Sequence, residues 1–169
     1  MSLVFSINQV VSQNLKDSID VNNLPVHVAV IMDGNGRWAK QQGFKDRIFG
    51  HRHAIAAVRE TIEGCGELGI KYLTLYAFST ENWKRTPEEV KFLMGYSRDV
   101  LRRRRDRLNE MGVKIQWIGR PQRLWKSVIS ELEEAQELTK KNKTLTLNMC
   151  VNYGGRAELV DATAALARD

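Results

Sequence analysis

Cysteine is scarce in this 169-residue chain: Cys65 and Cys150 are the only two, and neither belongs to a Cys-x-x-Cys pair or a Cys/His ligand spacing. That excludes a disulfide framework and a cysteine-based zinc site, fits a reducing compartment, and leaves both thiols as core residues. With 3 prolines and 12 aperiodic glycines, collagen-like and proline-rich disordered readings also drop out. Uninterrupted apolar runs such as Val28 to Met32, which none exceeds, are far shorter than the roughly 18 to 20 residues that cross a bilayer. No basic stretch precedes the apolar positions of Met1 to Asp20, so this segment does not read as a secretory signal. What remains is 43% hydrophobic and 27% charged, the profile of one globular domain large enough to bury its own core. Lys and Arg number 26 against 20 Asp and Glu. The excess implies an anionic partner and leaves nucleic acid, acidic lipid and phosphate substrates open.

Apolar, β-branched runs predict four strands, at Val26 to Met32, Tyr72 to Phe78, Val113 to Trp117 and Leu145 to Val151. Helical spacing predicts a helix through Ala54, Ile55, Val58, Ile62, Cys65 and Leu68 closed by Gly69, and a long one from Pro87 to Met111 closed by Gly112. Thr86 caps the long helix, Pro87 takes its first position, and Glu89 stands where a capping-box partner reaches back. A third helix runs from Arg123 to Thr139 and a fourth starts near Arg156. This alternation predicts an α/β domain with a mainly parallel central sheet flanked by helices. Val4, Ile7, Val11 and Leu15 give residues 1–24 an amphipathic helical pattern, read as packing on the domain, with a membrane-touching helix as the alternative. The run Arg102 to Arg105 spreads over four helical directions, and no aromatic residues interleave with it. It reads as a solvated face or subunit contact rather than a nucleic-acid patch.

Ligands of open α/β sheets gather outside the carboxyl ends of the strands. The first strand ends in Asp33-Gly34-Asn35-Gly36-Arg37-Trp38-Ala39, where two glycines allow close backbone approach and free N–H groups at the start of the next helix face an anion such as a diphosphate. The literal Gly-x-Gly-x-x-Ala match fails as a dinucleotide fingerprint, because no acid follows at the end of a second strand some 20 residues on. A carboxylate beside a phosphate cradle repels it unless a divalent cation lies between, so Asp33 implies Mg²⁺; the structural alternative is a helix N-cap. Arg37, Arg47 and His51 supply donors for phosphate oxygens, whereas His27 and His53 are read as structural. The second strand ends in Phe78-Ser79-Thr80-Glu81-Asn82-Trp83-Lys84-Arg85, combining polar donors and a cation with apolar rings for a hydrocarbon ligand. The fourth ends in Asn152-Tyr153-Gly154-Gly155-Arg156, so three strand ends converge on one crevice.

These blocks, together with His27 to Met32 and Arg47-Ile48-Phe49-Gly50-His51, resemble the signature segments of cis-prenyltransferases, the undecaprenyl and decaprenyl diphosphate synthases, in order and spacing. The stretch from Trp83 to Arg105 is most similar to actinobacterial long-chain members. The resemblance implies that Asp33 is the essential acid and Mg²⁺ partner, that Asn82 shares the catalytic role, and that Gly34, Asn35, Gly36, Arg37, Arg47 and His51 hold an allylic diphosphate. It further implies that Ser79, Asn82, Trp83 and Arg85 line the condensation site, with Trp38, Thr80 and Glu81 also contacting substrate. The Asp-Asp-x-x-Asp motif of trans-prenyltransferases is absent, as the resemblance requires. Ala54 replaces a glycine common in the family. An Arg-x-Ser-x-Arg-type segment for isopentenyl diphosphate and a second Mg²⁺-associated Glu are not found before Asp169. Residues 25–169 therefore resemble the N-terminal part of a synthase, expected not to turn over by itself. The implied activity is repeated cis condensation of isopentenyl diphosphate onto an allylic diphosphate such as farnesyl or geranyl diphosphate, yielding a polyprenyl diphosphate carrier for cell-wall glycan synthesis. The sheet face and Val90, Leu93, Met94 and Leu101 of the long helix are expected to wall its hydrocarbon cleft. The implied setting is cytoplasmic, a homodimer at full length, with no nucleic-acid partner and at most peripheral contact with the inner face of the membrane that receives the product. The alternative is a non-catalytic homologue acting as a binding subunit.

Overall fold

The computed structural model describes residues 17–168, and the amphipathic pattern from Val4 to Leu15 lies outside them. Among the described residues four strands form, β1 (His27–Ile31), β2 (Tyr72–Ser79), β3 (Val113–Ile118) and β4 (Leu145–Tyr153). They are ordered β1-β2-β4-β3, and every pairing is parallel. The helices are α1 (Asn35–Gln41), α2 (Ile48–Glu67), α3 (Pro87–Glu110), α4 (Lys126–Thr139) and α5 (Gly155–Leu166), with a 3₁₀ turn at Thr80–Lys84.

Local chemistry sets the boundaries. Thr86 Oγ1 accepts from the Glu89 N–H at 3.3 Å and Pro87 fills the first turn of α3, while Gly112 takes φ 72 just beyond its end. The capping-box expectation is corrected at its second half: the Glu89 side chain does not return to Thr86 but bonds Arg85. The third helix starts at Lys126 rather than Arg123, because Arg123 adopts φ 69 and cannot enter a right-handed helix. The fourth starts at Gly155, one residue before the expected Arg156.

The parallel register aligns Val28 with Leu73 and brings Leu147 against both Leu73 and Ile115. Residues of this parity point to one face, where they meet Ile62, Met94, Leu101, Val128 and Leu132 in one core. Met94 and Leu101 are thus core residues, which corrects their expected place as walls of a hydrocarbon cleft; Val90 and Leu93 are only partly buried against that core. Both cysteines are buried, and desolvation pushes the thiols up, Cys150 to about 11.

Part of the arginine run reaches a neighbouring helix. Arg102 and Arg105, one helical turn apart on α3, share a face and reach Glu131 of α4, whose side chain is 1% exposed. The bonds are 3.0 Å from Arg102 Nε and 2.8 Å from Arg105 Nη1, and Arg105 also bonds Glu134 at 2.7 Å. Arg102, Arg103 and Arg104 nevertheless remain exposed, so the solvated face stands, and what the structure adds is the link to α4 that Arg102 and Arg105 make.

Candidate active site

All four strands run the same way, so their carboxyl ends share one edge and the predicted segments leave from it. Just beyond β1, Asp33 Oδ1 accepts from the Gly34 N–H at 2.6 Å and Oδ2 accepts from Arg37 Nη2 at 3.2 Å, with 76% of the side chain exposed. The N-cap alternative is corrected: Gly34, at φ 90, holds that position, and no side chain caps α1. The first intrahelical bond runs from Trp38 N–H to Gly34 O, so the amides of Asn35, Gly36 and Arg37 precede the ladder and are the donors a ligand can use.

Glycine is required twice here for close approach. A Cβ on Gly36 would lie 2.5 Å from Arg47 Nε, so the missing side chain lets Arg47 lie across the first turn of α1. A Cβ on Gly50 would overlap the backbone carbonyl of Asn35, so α1 and α2 touch through bare backbone at that point. Beside them lies a cleft of about 530 Å³ lined by Gly36, Arg37, Lys40, Gly43, Phe44, Lys45 and Arg47. Lys40 and Lys45 were not among the residues singled out by sequence. Trp38, by contrast, packs on the rings of His53 and Phe44, 5.0 and 6.3 Å away, at the α1–α2 corner.

Glu89 is the main residue that sequence reasoning missed. Its half-sheltered carboxylate accepts from Arg85 Nη1 at 2.7 Å, lies 3.5 Å from His51 Nε2 and stands 4.0 Å from Arg47 Nε. Three of the predicted substrate-binding residues, Arg47 and His51 of the diphosphate set and Arg85 of the condensation site, are thereby gathered on one acid. Its position four residues after Arg85 was the available signal. Burial lowers the His51 pKa, and the Arg85 and Arg47 charges lower it too, outweighing the Glu89 bond that raises it. The imidazole is therefore neutral at neutral pH. The structural readings of His27 and His53 fit their contacts, with Thr74 Oγ1 and the Phe49 carbonyl, each at 2.8 Å.

After β2 the chain makes a reciprocal cap. Ser79 Oγ accepts from Glu81 N–H at 3.1 Å, and Asn82 Oδ1 accepts from Ser79 N–H at 3.0 Å. Asn82 is locked by its carbonyl, and among the described residues nothing accepts from its Nδ2. Trp83 packs edge-on against Phe78, ring centroids 5.0 Å apart. Thr80 fits against Gly154, where a Cβ would overlap its hydroxyl, whereas Glu81 is exposed. Among the described residues no group of three or more His, Cys, Asp or Glu converges. Asp33 alone, exposed beside phosphate donors, suits Mg²⁺, which keeps waters and takes phosphate oxygens along with one or two carboxylates.

Residues 31–169 match the family model described as putative undecaprenyl diphosphate synthase. The chain belongs to the undecaprenyl diphosphate synthase family. Among curated relatives of this family, it is 64% identical over 146 residues to a trans,polycis-polyprenyl diphosphate synthase, (2Z,6E)-farnesyl diphosphate specific, of Thermobifida fusca, covering 86% of this chain and 51% of that protein. It is 59% identical over 148 residues to decaprenyl diphosphate synthase of Mycobacterium tuberculosis, covering 88% of this chain and 50% of that one. The chain thus spans about half the length of these relatives. Lavandulyl diphosphate synthase from Lavandula x intermedia, solved with dimethylallyl diphosphate, superposes with a TM-score of 0.80 at 33% identity, over 85% of this chain and 61% of that one. A probable undecaprenyl diphosphate synthase from Campylobacter jejuni gives 0.69 at 30% identity, over 86% and 63%. The predicted α/β architecture with its parallel sheet is the fold of this family.

Proposed function

We propose that this chain carries the allylic-diphosphate half of a cis-prenyltransferase that condenses isopentenyl diphosphate onto an allylic diphosphate and makes a long-chain polyprenyl diphosphate. The observation that carries this reading is that the Asp33–Arg37 pair and the Glu89 cluster of Arg47, His51 and Arg85 flank one cleft, which Arg37 and Arg47 both line. The names of the relatives point the same way, and all of Asp33, Arg37, Asn82 and Arg85 are present, which favours the catalytic reading over a binding subunit.

Arg37, Arg47 and Arg85 each stand at a carboxylate that a diphosphate can replace. Arg37 leaves Asp33, and Arg85 and Arg47 turn from Glu89, toward phosphate oxygens that accept fork-shaped donors. His51, neutral, contributes an N–H or a lone pair without adding charge. The Nδ2 donors of Asn82, fixed through its carbonyl and left without an acceptor among the described residues, offer a preorganised dipole to oxygens that gain charge as the diphosphate departs. Asp33 would hold Mg²⁺, which when bound neutralises charge on that leaving group. Trp83 and Phe78 offer their rings to the hydrocarbon part. In this reading the full-length protein works in the cytoplasm as a homodimer and passes its product to the membrane by peripheral contact, as a carrier for cell-wall glycan assembly. No helix among the described residues is long and apolar enough to cross a membrane.

Calorimetric titration of the 169-residue chain with farnesyl diphosphate and Mg²⁺ tests the cradle, and isopentenyl incorporation by a protein of the relatives' length tests the reaction. In that longer protein Asp33→Ala lowers turnover on the order of a hundredfold or more while leaving the melting temperature nearly unchanged, since Asp33 packs against no core residue. Near wild-type turnover by Asp33→Ala would remove this residue from the mechanism.

A further inference from the structure

Asn152 is the last strand residue but one of β4, 3% exposed and at φ 56, a left-handed conformation that asparagine tolerates better than other non-glycine residues. Its planar amide is fully used. Nδ2 donates to Arg120 O at 2.8 Å and Gln122 O at 2.7 Å, while Oδ1 accepts from Trp83 Nε1 at 2.7 Å. The backbone adds Arg120 N–H to Asn152 O at 3.1 Å, and a Cβ on Gly119 would overlap the Val151 carbonyl, so the loop after β3 is pressed against the end of β4. By holding the Gln122 carbonyl, Asn152 fixes the peptide that leads into Arg123, whose φ is 69 and whose guanidinium carbon sits 4.4 Å from the centre of the Trp83 ring. The indole is thereby gripped at its N–H by Asn152, on a ring face by Arg123 and edge-on by Phe78.

From this arrangement we infer that Asn152 is a positioning residue for the hydrocarbon part of the substrate, acting through Trp83: it holds the indole in one orientation beside the turn that carries Ser79 and Asn82. The inference rests on the proposed function, which makes Trp83 part of the substrate surface. No other side chain of this length offers two donors and an acceptor in one plane; the change Asn152→Asp would set a carboxylate oxygen against two carbonyls. The effect is one of preorganisation, because an indole free to turn must be ordered again on binding.

The test uses two ligands that differ only in possessing a prenyl chain. Asn152→Gly keeps the positive φ accessible and removes all three side-chain bonds, and Trp83→Phe keeps an aromatic ring while removing the N–H together with the fused five-membered ring. Calorimetry with Mg²⁺ measures farnesyl diphosphate and inorganic diphosphate on each, and the Trp83 indole N–H resonance, recognised by its loss in Trp83→Phe, is followed by NMR. The expected result is farnesyl diphosphate weakened about tenfold by either variant, no further loss in the double variant, and inorganic diphosphate changed less than twofold. The indole resonance of Asn152→Gly should move upfield. Equal weakening of both ligands would mean a general structural role, and unchanged farnesyl diphosphate affinity or an unmoved indole resonance would equally overturn the inference. If the unaltered chain bound neither ligand, the substrate assignment would fall first and this inference with it. Binding of both ligands unaltered by Asn152→Gly would sink the inference alone.

Discussion

At Glu89, one carboxylate serves His51, Arg85 and Arg47 together, so changing it should be felt in the titration of the histidine. Its bond and charge raise the His51 pKa, while burial and the two arginines lower it, and the net displacement is downward from 6.5. Glu89→Gln removes only the raising contributions of the charge, so the His51 titration followed by NMR should move further down; an upward movement would mean that Glu89 is not facing the ring. A depressed histidine favours the unfolded state on protonation. The stability that goes with neutral His51 is therefore fully present above pH 6.5 and is lost as pH falls through the folded-state pKa. Urea unfolding of His51→Gln should show a flatter pH dependence in that window. The residues after β1 were legible because strand ends in α/β sheets face the ligand, and two glycines with a neighbouring acid and arginines leave few other readings. Glu89 was not, because one glutamate three residues after a capping threonine suits both a cap and an ion pair, and only the approach of α2 decides which forms.

Between α3 and α4 the same ambiguity concerns charge. Four arginines in sequence point around a helix, and which of them are buried depends on where the neighbouring helix places an acid. Glu131 lies on the buried stripe of α4 with Val128, Leu132 and Ala135, a position where a carboxylate is tolerated only because Arg102 and Arg105 reach it. Arg102 is exposed and Arg105 keeps Glu134, so Glu131→Ala strands no buried charge; the lost charge-assisted bonds should cost about 2 kcal/mol, read as a fall in the urea midpoint at constant slope. Glu134→Ala, on the exposed side of Arg105, should leave the midpoint almost where it was. Equal losses from both would place the coupling at the surface. The long helix was legible from its start signal and its glycine stop, and the four strands from their apolar runs, because those signals are local. The inward position of Met94 and Leu101 was not, since the sequence of an amphipathic helix shows that one face is buried but not whether core or ligand lies against it.

Over the whole sheet, parallel strands are ordinarily covered on both faces, because each crossover lays a helix on one side or the other. Here the second face, of opposite parity to the core residues, carries His27, Tyr72 and Thr74 in a polar contact row and Ile31 beside Tyr76. Ile31 is 76% exposed, Tyr72 and Tyr76 are also exposed, and α5 shows Leu159, Val160 and Leu166 to solvent. An apolar surface of this kind favours burial against another surface, worth roughly 25 cal/mol per Å² removed from water. The 169-residue chain should therefore associate with rising concentration in sedimentation experiments, and it should do so through these positions. Ile31→Lys, which adds charge to the exposed face at the end of its edge strand without touching the core on the other side, should shift the distribution toward monomer while the melting temperature at low concentration stays within a few degrees. Were association unchanged by Ile31→Lys but reduced by charge at Leu159 or Leu166, the contact would belong to α5. A monomer at every concentration would show that the polar row of His27 and Thr74, extended by Asn148 Nδ2 donating to Thr74 Oγ1 at 3.1 Å, suffices to keep the open face in water.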